Sequence, residues 1–331
     1  MDLNDAHQPA GSDAILAPVG ARTHWFVGGP PARDAIEVRA PDGVMEYEPA
    51  DMTITVGAGT SFATLDRVLA EHGQECPLDP RAPTATIGGI LACGLSGTRR
   101  LRHGPVRDQV LEVRFETGDG RLVKGGGPTV KNVTGYDIPR LFVGSLGTLG
   151  ILQQVTLRCR PRPAAARWYE SGDTRAVFRP SARLWSGGSE AVLIEGAGAD
   201  VAEQARQLAG HTELDKPPTP PDGPHRGRVS VAPGRVAECV RALPPDVDWC
   251  AELGVGTIHV ATDRAEALAR ARRVAHDHDG WLLREAGGEP DDDGFGCALP
   301  NEALMRRIKA AFDPGGRLNP GRLPLASRGR G

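Results

Sequence analysis

The sequence predicts an α+β fold in two parts, and three observations carry that reading. From Ala14 onward the apolar residues come in strand-length runs, Ala14–Val19, Ala35–Arg39, Met45–Glu48 and Thr53–Val56, broken by Pro41-Asp42-Gly43 and Pro49. Beyond Pro161-Arg162-Pro163 the pattern changes: strand-like runs at Ala191–Glu195, Arg228–Val231, Val247–Glu252 and Thr257–Ala261 are joined by helical patterns at Ala199–Leu208 and Arg264–His276. That mixture suits helices packed on an antiparallel sheet. The 331 residues, 40% of them hydrophobic, are enough for about two domains with a sizeable core.

Taken in order, residues 1–13 are polar with Pro and Gly and are expected to be loose. Ala14–Val19 runs into Gly20-Ala21-Arg22-Thr23-His24, a small-residue turn carrying an Arg and a hydroxyl. Thr55–Phe62 resembles a dinucleotide-binding turn, but Phe62 stands where the third Gly belongs. No acid closes a second strand about 20 residues on, so a Rossmann fold is rejected. Thr60 or Ser61 reads instead as the N-cap of a helix to about His72. Phe62, Leu65, Val68 and Leu69 share one face of it, and Gly73 ends it.

Pro83–Gly104 is the richest stretch in Gly and small residues and makes a poor core element by itself. It reads as a ligand-approaching loop or as a Gly-rich surface loop with a basic flank of Arg99, Arg100, Arg102 and Arg107. The first three could meet a substrate carboxylate, a phosphate, water or a partner; Arg107-Asp108 reads as a bracing ion pair. Val110–Glu116 and Arg121–Lys124 form a hairpin around Gly118-Asp119-Gly120. The polar run Lys131–Asp137 leads to Leu141–Gly150, whose glycines open into a strand, Ile151–Arg158. A P-loop would open into a helix and needs a Gly-Lys-Ser/Thr that is missing. Pro217–Pro224 is an exposed loop. Asn301–Phe312 is a last helix, stopped by Asp313-Pro314-Gly315-Gly316.

Net charge is −3, which points to neither nucleic acid nor an anionic membrane. The six cysteines form no CxxC pair, so the sequence supports no thiolate zinc or iron–sulfur site. No secretion signal is visible at the start, and no run approaches the roughly 20 apolar residues that span a bilayer. The expected location is cytoplasmic, with reduced thiols. His259, at the end of the strand Gly254–His259, is the nearest thing to a catalytic base, although a lone strand His is more often structural. His276 and His278 do not share a helix face, and Asp291–Asp293 reads as a solvated loop.

Val19–Thr23, Thr86–Gly97, Val106–Asp108, Lys131–Leu141, Val143–Ile151 and Phe312–Arg322 recur, in this order, in one family. The chain resembles the FAD-binding proteins of the vanillyl-alcohol oxidase / p-cresol methylhydroxylase (PCMH) type, and within them the FAD-binding E-type subunits of bacterial glycolate oxidases. The resemblance implies a two-subdomain PCMH-type FAD-binding domain over 14–163, and a smaller α+β cap domain over 164–300. A C-terminal helix and Pro/Gly tail over 301–331 would return to the FAD domain. It implies cofactor contacts from Gly20, Ala21, Arg22, Thr23 and His24, from Thr86, Ile87, Gly88, Gly89, Ser96 and Gly97, and from Gly144, Gly147, Gly150 and Ile151. The first two groups would donate N–H bonds to the FAD diphosphate, with the Thr86 and Ser96 hydroxyls adding to them. Relatives with covalent flavin carry a His at the position of Thr23, so non-covalent FAD is implied. The implied partners are a D-type FAD-containing glycolate oxidase subunit and an iron–sulfur subunit, with a small 2-hydroxyacid as substrate and peripheral membrane association through the complex. A stand-alone flavin oxidoreductase and an assembly subunit with a decayed flavin site are the rival readings.

Overall fold

The computed structural model describes residues 14–29, 31–127, 136–288, 294–297 and 299–323. The loose start at 1–13, the run Lys131–Gly135 and the acidic run Asp291–Asp293 lie outside the described residues. The chain divides into two compact units. One comprises Met1–Gly97, Pro105–Arg162 and Ala298–Gly331; the other comprises Thr98–Gly104 and Pro163–Cys297.

The first unit is built on a five-stranded antiparallel sheet in the spatial order Val44–Glu48, Thr53–Gly57, Ile151–Arg158, Val110–Glu116, Leu122–Gly126. Strand alternation turns Ile54, Val56, Val113, Phe115, Val155 and Leu157 to one face, where they are fully buried. The helix Phe62–Ala70 covers part of that face with Leu65 and Leu69. Its cap is Ser61, whose hydroxyl accepts from the Thr64 N–H at 3.1 Å. Thr60 is buried and bonds the Gly43 backbone instead. Gly73 follows in the left-handed conformation, at φ +63°.

Thr86–Gly94 is ordered as a seven-residue helix, Ile87–Cys93, where the sequence reading expected a loop. Thr86 caps it, accepting from Gly89 N–H at 3.2 Å, and Gly94 at φ +67° closes it. Ile87, Ile90 and Leu91 fall at i, i+3 and i+4 and are buried in the sheet's core, which outweighs the cost of two helical glycines. The C-terminal helix Glu302–Phe312 reaches the same core through Phe312, whose ring centroid lies 5.7 Å from Phe115 and 6.1 Å from Phe142. After it, the tail pairs with the chain's first strand. Leu16–Pro18 lies parallel to Ile36–Val38 on one side and bridges Leu318 on the other.

The second unit is an eight-stranded antiparallel sheet in the order 212–214, 165–171, 189–196, 182–186, 248–252, 257–262, 225–230, 281–286. The helices Val236–Ala242 and Ala265–Asp277 bury Val236, Val240, Leu268 and Ala271 against Val229, Ile258, Val260 and Leu282. The strands Ala165–Ser171, Ala182–Ser186 and Trp281–Ala286 were not foreseen in the sequence.

Arg99 and Arg102 belong to this unit and are engaged with Glu195. Arg99 donates to Glu195 Oε1 at 3.2 Å, and Arg102 donates to the Glu195 carbonyl at 3.0 Å. His103 Nε2 lies 3.6 Å from Glu195 Oε2. Burial pushes the Glu195 carboxyl up, but hydrogen bonds from His103 and Ser181 and the Arg99 charge outweigh it. The result is a value lowered from 4.5 to about 2. A carboxyl depressed on folding stabilises the native state above its unfolded value and loses that contribution as pH falls through its folded value. Melting temperature should therefore drop as pH falls from 4.5 to about 2. In Glu195→Gln that acid limb should be visibly flatter, which a series of thermal melts across this range would test.

Candidate functional site

One groove in the first unit collects residues from six separate segments, including these four. Gly20–Trp25 follows the first strand, and Gly88 and Gly89 sit in the short helix behind Thr86. Ser145–Gly147 and Gly150–Leu152 enter the long central strand, and Asn319 and Arg322 come from the tail. The two glycine-bearing turns touch: a Cβ built on Gly20 would lie 2.1 Å from Thr86 Oγ1. Only a residue without a side chain fits that approach. Gly88 is also close-packed, though less tightly, its built Cβ meeting Ala58 at 3.0 Å.

The turns contribute differently. Among the described residues, the backbone N–H groups of Gly20, Ala21, Arg22 and Thr23 have no acceptor within the protein. Four consecutive free donors at a groove wall are chemistry that suits an anion. Arg22 adds a guanidinium; it is ion-paired to Glu37 and lies over the Trp25 ring at 4.6 Å. Arg39 donates to the Gly20 carbonyl at 3.2 Å and so engages that oxygen.

The second turn departs from expectation. Ile87 N–H donates to Thr60 O at 2.8 Å, Gly88 N–H to Ala58 O at 2.7 Å, and Gly89 N–H to Thr86 Oγ1. These amides are engaged internally, so this turn supplies close backbone approach rather than donors. Ile87 is buried in the core. Ser96 accepts from Val106 N–H at 3.1 Å, and Gly97 is packed on Asp79; neither lines the groove. Gly144 does not line it either, its N–H being bonded to Leu91 O at 2.9 Å. The other eleven residues named from the sequence — Gly20, Ala21, Arg22, Thr23, His24, Thr86, Gly88, Gly89, Gly147, Gly150 and Ile151 — all stand along it.

Sequence reasoning missed Trp25, Ser145, Asn319 and Arg322. The last two are 3% and 6% exposed. Asn319 donates through Nδ2 to Leu146 O at 2.8 Å. Arg322 donates to Val27 O at 3.0 Å and lies over the Trp25 ring, which Arg22 also meets, at 4.9 Å. Burial pulls the Arg322 guanidinium below its usual value. Arg22, Leu146 and Asn319 all hold left-handed backbone, at φ +59°, +53° and +43°. Each such residue costs about 1 kcal/mol or more, a strain that clusters at ligand clamps. Three buried polar atoms at this wall have no partner: Ser145 Oγ, Asn319 Oδ1 and Arg322 Nε. Unpaired buried polar groups are costly, so a polar ligand fits here.

Elsewhere, His259 Nε2 is bonded to Glu252 Oε1 at 2.6 Å, both side chains being buried in the second unit. His278 bonds the Val274 carbonyl through Nδ1 at 2.7 Å. Arg107 and Asp108 stand 4.0 Å apart and are largely exposed. Among the described residues no three His, Cys, Asp or Glu side chains are placed to share a metal ion.

A run of free amides, flanking cations and apolar neighbours is chemistry that suits a nucleotide cofactor, and comparison with known proteins gives the class of the domain. Residues 8–126 match the FAD binding domain, and residues 300–323 match the C-terminal domain of FAD linked oxidases. The chain carries a PCMH-type FAD-binding domain, and FAD is the cofactor these matches indicate. The groove fits that cofactor on the evidence of its own donors and its orphaned polar atoms. Among particular relatives, the glycolate oxidase subunit GlcE of Escherichia coli K12 is 39% identical over 166 residues, covering 50% of this chain and 47% of that one. The D-lactate dehydrogenase of Archaeoglobus fulgidus is 37% identical over 43% of this chain and 32% of its own. The D-2-hydroxyglutarate dehydrogenase of Xanthomonas citri pv. viticola is 27% identical over 93% and 84%. The chain thus spans about half the length of the glycolate oxidase subunit it resembles. A solved alkyldihydroxyacetonephosphate synthase shares the fold, with a TM-score of 0.67 over 93% of this chain and 72% of that one at 14% identity.

Proposed function

We propose that the chain is the FAD-binding subunit of a glycolate-oxidase-like 2-hydroxyacid:acceptor dehydrogenase assembly, and that it contributes a bound flavin to electron transfer. The observation that carries this is the groove itself, with its four free amides at one wall and three unpartnered polar atoms at another. Bound FAD would supply acceptance of two electrons from a substrate and their release to an acceptor. In this reading Gly20–Thr23 bind the diphosphate, held in place by Arg39 on the Gly20 carbonyl. Gly88 and Gly89 let the backbone come close, and Ile151 and Leu152 exclude water along the buried side. Thr23 carries no ring nitrogen, in keeping with non-covalent FAD.

The subunit role follows from similarity to the GlcE and GlcD glycolate oxidase subunits. A D-type flavin subunit and an iron–sulfur subunit are the proposed partners. No helix among the described residues is long and apolar enough to cross a membrane. The near-full-length similarity to a D-2-hydroxyglutarate dehydrogenase favours one second reading, a stand-alone hydroxyacid oxidoreductase.

A visible spectrum and an anaerobic titration decide between them. Purified protein, as isolated or after FAD addition, should show flavin absorption that acid precipitation releases into solution. Bleaching by glycolate or D-lactate should require a co-expressed D-type partner. Bleaching of the chain alone would establish the stand-alone reading, and protein unable to take up FAD would leave only an assembly role.

A further inference from the structure

We infer that Ser145, Asn319 and Arg322 form a row that reads the pyrimidinedione edge of the flavin, which makes the tail the part of the chain that recognises the redox-active ring. The inference rests on the FAD reading above. The three residues are brought together from segments more than 170 positions apart, and all are nine-tenths buried or more. Each presents a polar atom without a partner: Ser145 Oγ, Asn319 Oδ1 and Arg322 Nε.

Their chemistry is fixed. The Arg322 Nε–H can only donate. The Asn319 amide is oriented by its other end, because Nδ2 faces the Leu146 carbonyl, which can only accept. Asn319 Oδ1 is therefore an acceptor, and the Ser145 hydroxyl can serve either way. A ligand satisfying all three must offer at least one acceptor and one N–H or O–H donor on one edge. The isoalloxazine ring offers C2=O, N3–H and C4=O, an acceptor–donor–acceptor edge of three. The adenine of the same cofactor offers N1 and its amino group, an edge of two, and leaves one protein atom unmatched.

Charge gives the second argument. Arg322 is a buried guanidinium that meets the Val27 carbonyl and the Trp25 face, and among the described residues it forms no ion pair. Such a cation is costly unless an anion compensates it. The pyrimidine side of a flavin gains negative charge on two-electron reduction, whereas adenine gains none.

The test uses the full-length chain freed of flavin and titrated with three cofactors, following quenching of flavin fluorescence. Those cofactors are FAD, FAD methylated at N3, and FAD carrying 1,N6-ethenoadenine. Methylation at N3 removes the donor to Asn319 and should weaken binding at least tenfold. The etheno group alters only adenine and should change affinity less than threefold. In Asn319→Ala the N3-methyl penalty should vanish. Equal affinity for FAD and its N3-methyl form, or a larger penalty from the etheno form, overturns the inference while leaving FAD binding intact. Failure of all three cofactors to bind overturns the FAD reading itself. An independent readout is the reduction potential of Arg322→Met. A tenfold loss in preference for the reduced form is about 30 mV downward for two electrons. An unchanged potential would remove Arg322 from the row.

Discussion

Gly20→Ala is expected to strip the protein of FAD while leaving it folded. The new Cβ would stand 2.1 Å from Thr86 Oγ1, 3.2 Å from Thr86 Cβ and 3.3 Å from its Cγ2. One of two things must give. If Thr86 rotates away, the Gly89 N–H loses its cap, a loss of about 1 kcal/mol for the helix Ile87–Cys93. If the Gly20 turn moves, the four free amides of Gly20–Thr23 move with it. Overpacking of this kind costs roughly 1–3 kcal/mol, which as binding energy is about a tenfold to hundredfold loss of affinity. Either route acts on the groove wall and not on the sheet core, so the melting temperature without cofactor should fall by only a few degrees. A double-mutant cycle supplies the check. Thr86→Ala removes the clashing oxygen, so the pair Gly20→Ala/Thr86→Ala should bind FAD better than the two single losses add up to. Strict additivity would mean that the two turns are not coupled through this contact.

What was legible in the sequence was what neighbours in the chain decide. Ser61 and Gly73 bracket a helix whose apolar spacing is plain, and Gly118-Asp119-Gly120 marks a hairpin that forms. The α+β class and the FAD cofactor came from patterns that survive in short words. The helix Ile87–Cys93 was hidden because two glycines mask an i, i+3, i+4 apolar set that only the buried sheet makes worthwhile. The roles of Arg99 and Arg102, open in the sequence among a ligand, water and a partner, were not legible because their acceptors on Glu195 lie more than 90 residues away. Donor counts were illegible for the same reason. Nothing in Thr86–Gly89 reveals that Ala58 and Thr60 take up its amides, and nothing in Gly20–Thr23 reveals that its own stay free. Asn319 and Arg322 stand in a Pro/Gly tail that reads locally as a chain end, and long-range contacts, the pairing of Leu318 with Leu16 among them, carry them to the groove.

That delivery depends on one buried carboxylate, and Asp313→Ala is expected to be the most damaging substitution in the tail. The Asp313 side chain is fully buried and accepts from Arg317 N–H at 3.0 Å, from Leu318 N–H at 2.9 Å and from the Lys309 ammonium. Lys309 also donates to Thr148 O at 2.7 Å and to Leu318 O at 2.9 Å, tying the tail to the Gly144–Gly150 segment. The neighbouring strand completes the clamp: Leu16 N–H donates to Arg317 O, and Asn319 N–H donates to Leu16 O. Alanine would leave a partly buried cation uncompensated and two N–H groups unpaired. Removing one partner of a buried pair costs about 3–5 kcal/mol. For a unit of this size that is a fall in melting temperature of roughly 10 °C. Asp313→Asn keeps one acceptor and loses the charge, so it should fall between wild type and alanine. Burial already pulls the Lys309 pKa below its usual 10.5, with Asp313 opposing the shift, so the alanine variant lets it fall further. A cation depressed on folding destabilises while its unfolded form stays protonated, and the deficit shrinks as pH rises toward 10.5. The variant should therefore recover part of its lost stability at alkaline pH. It should also release FAD faster than wild type at a temperature where both remain folded, because Asn319 and Arg322 ride on the turn that Asp313 fixes. A melting temperature within two degrees of wild type, with no change in flavin release, would show that the tail is held by its apolar contacts alone.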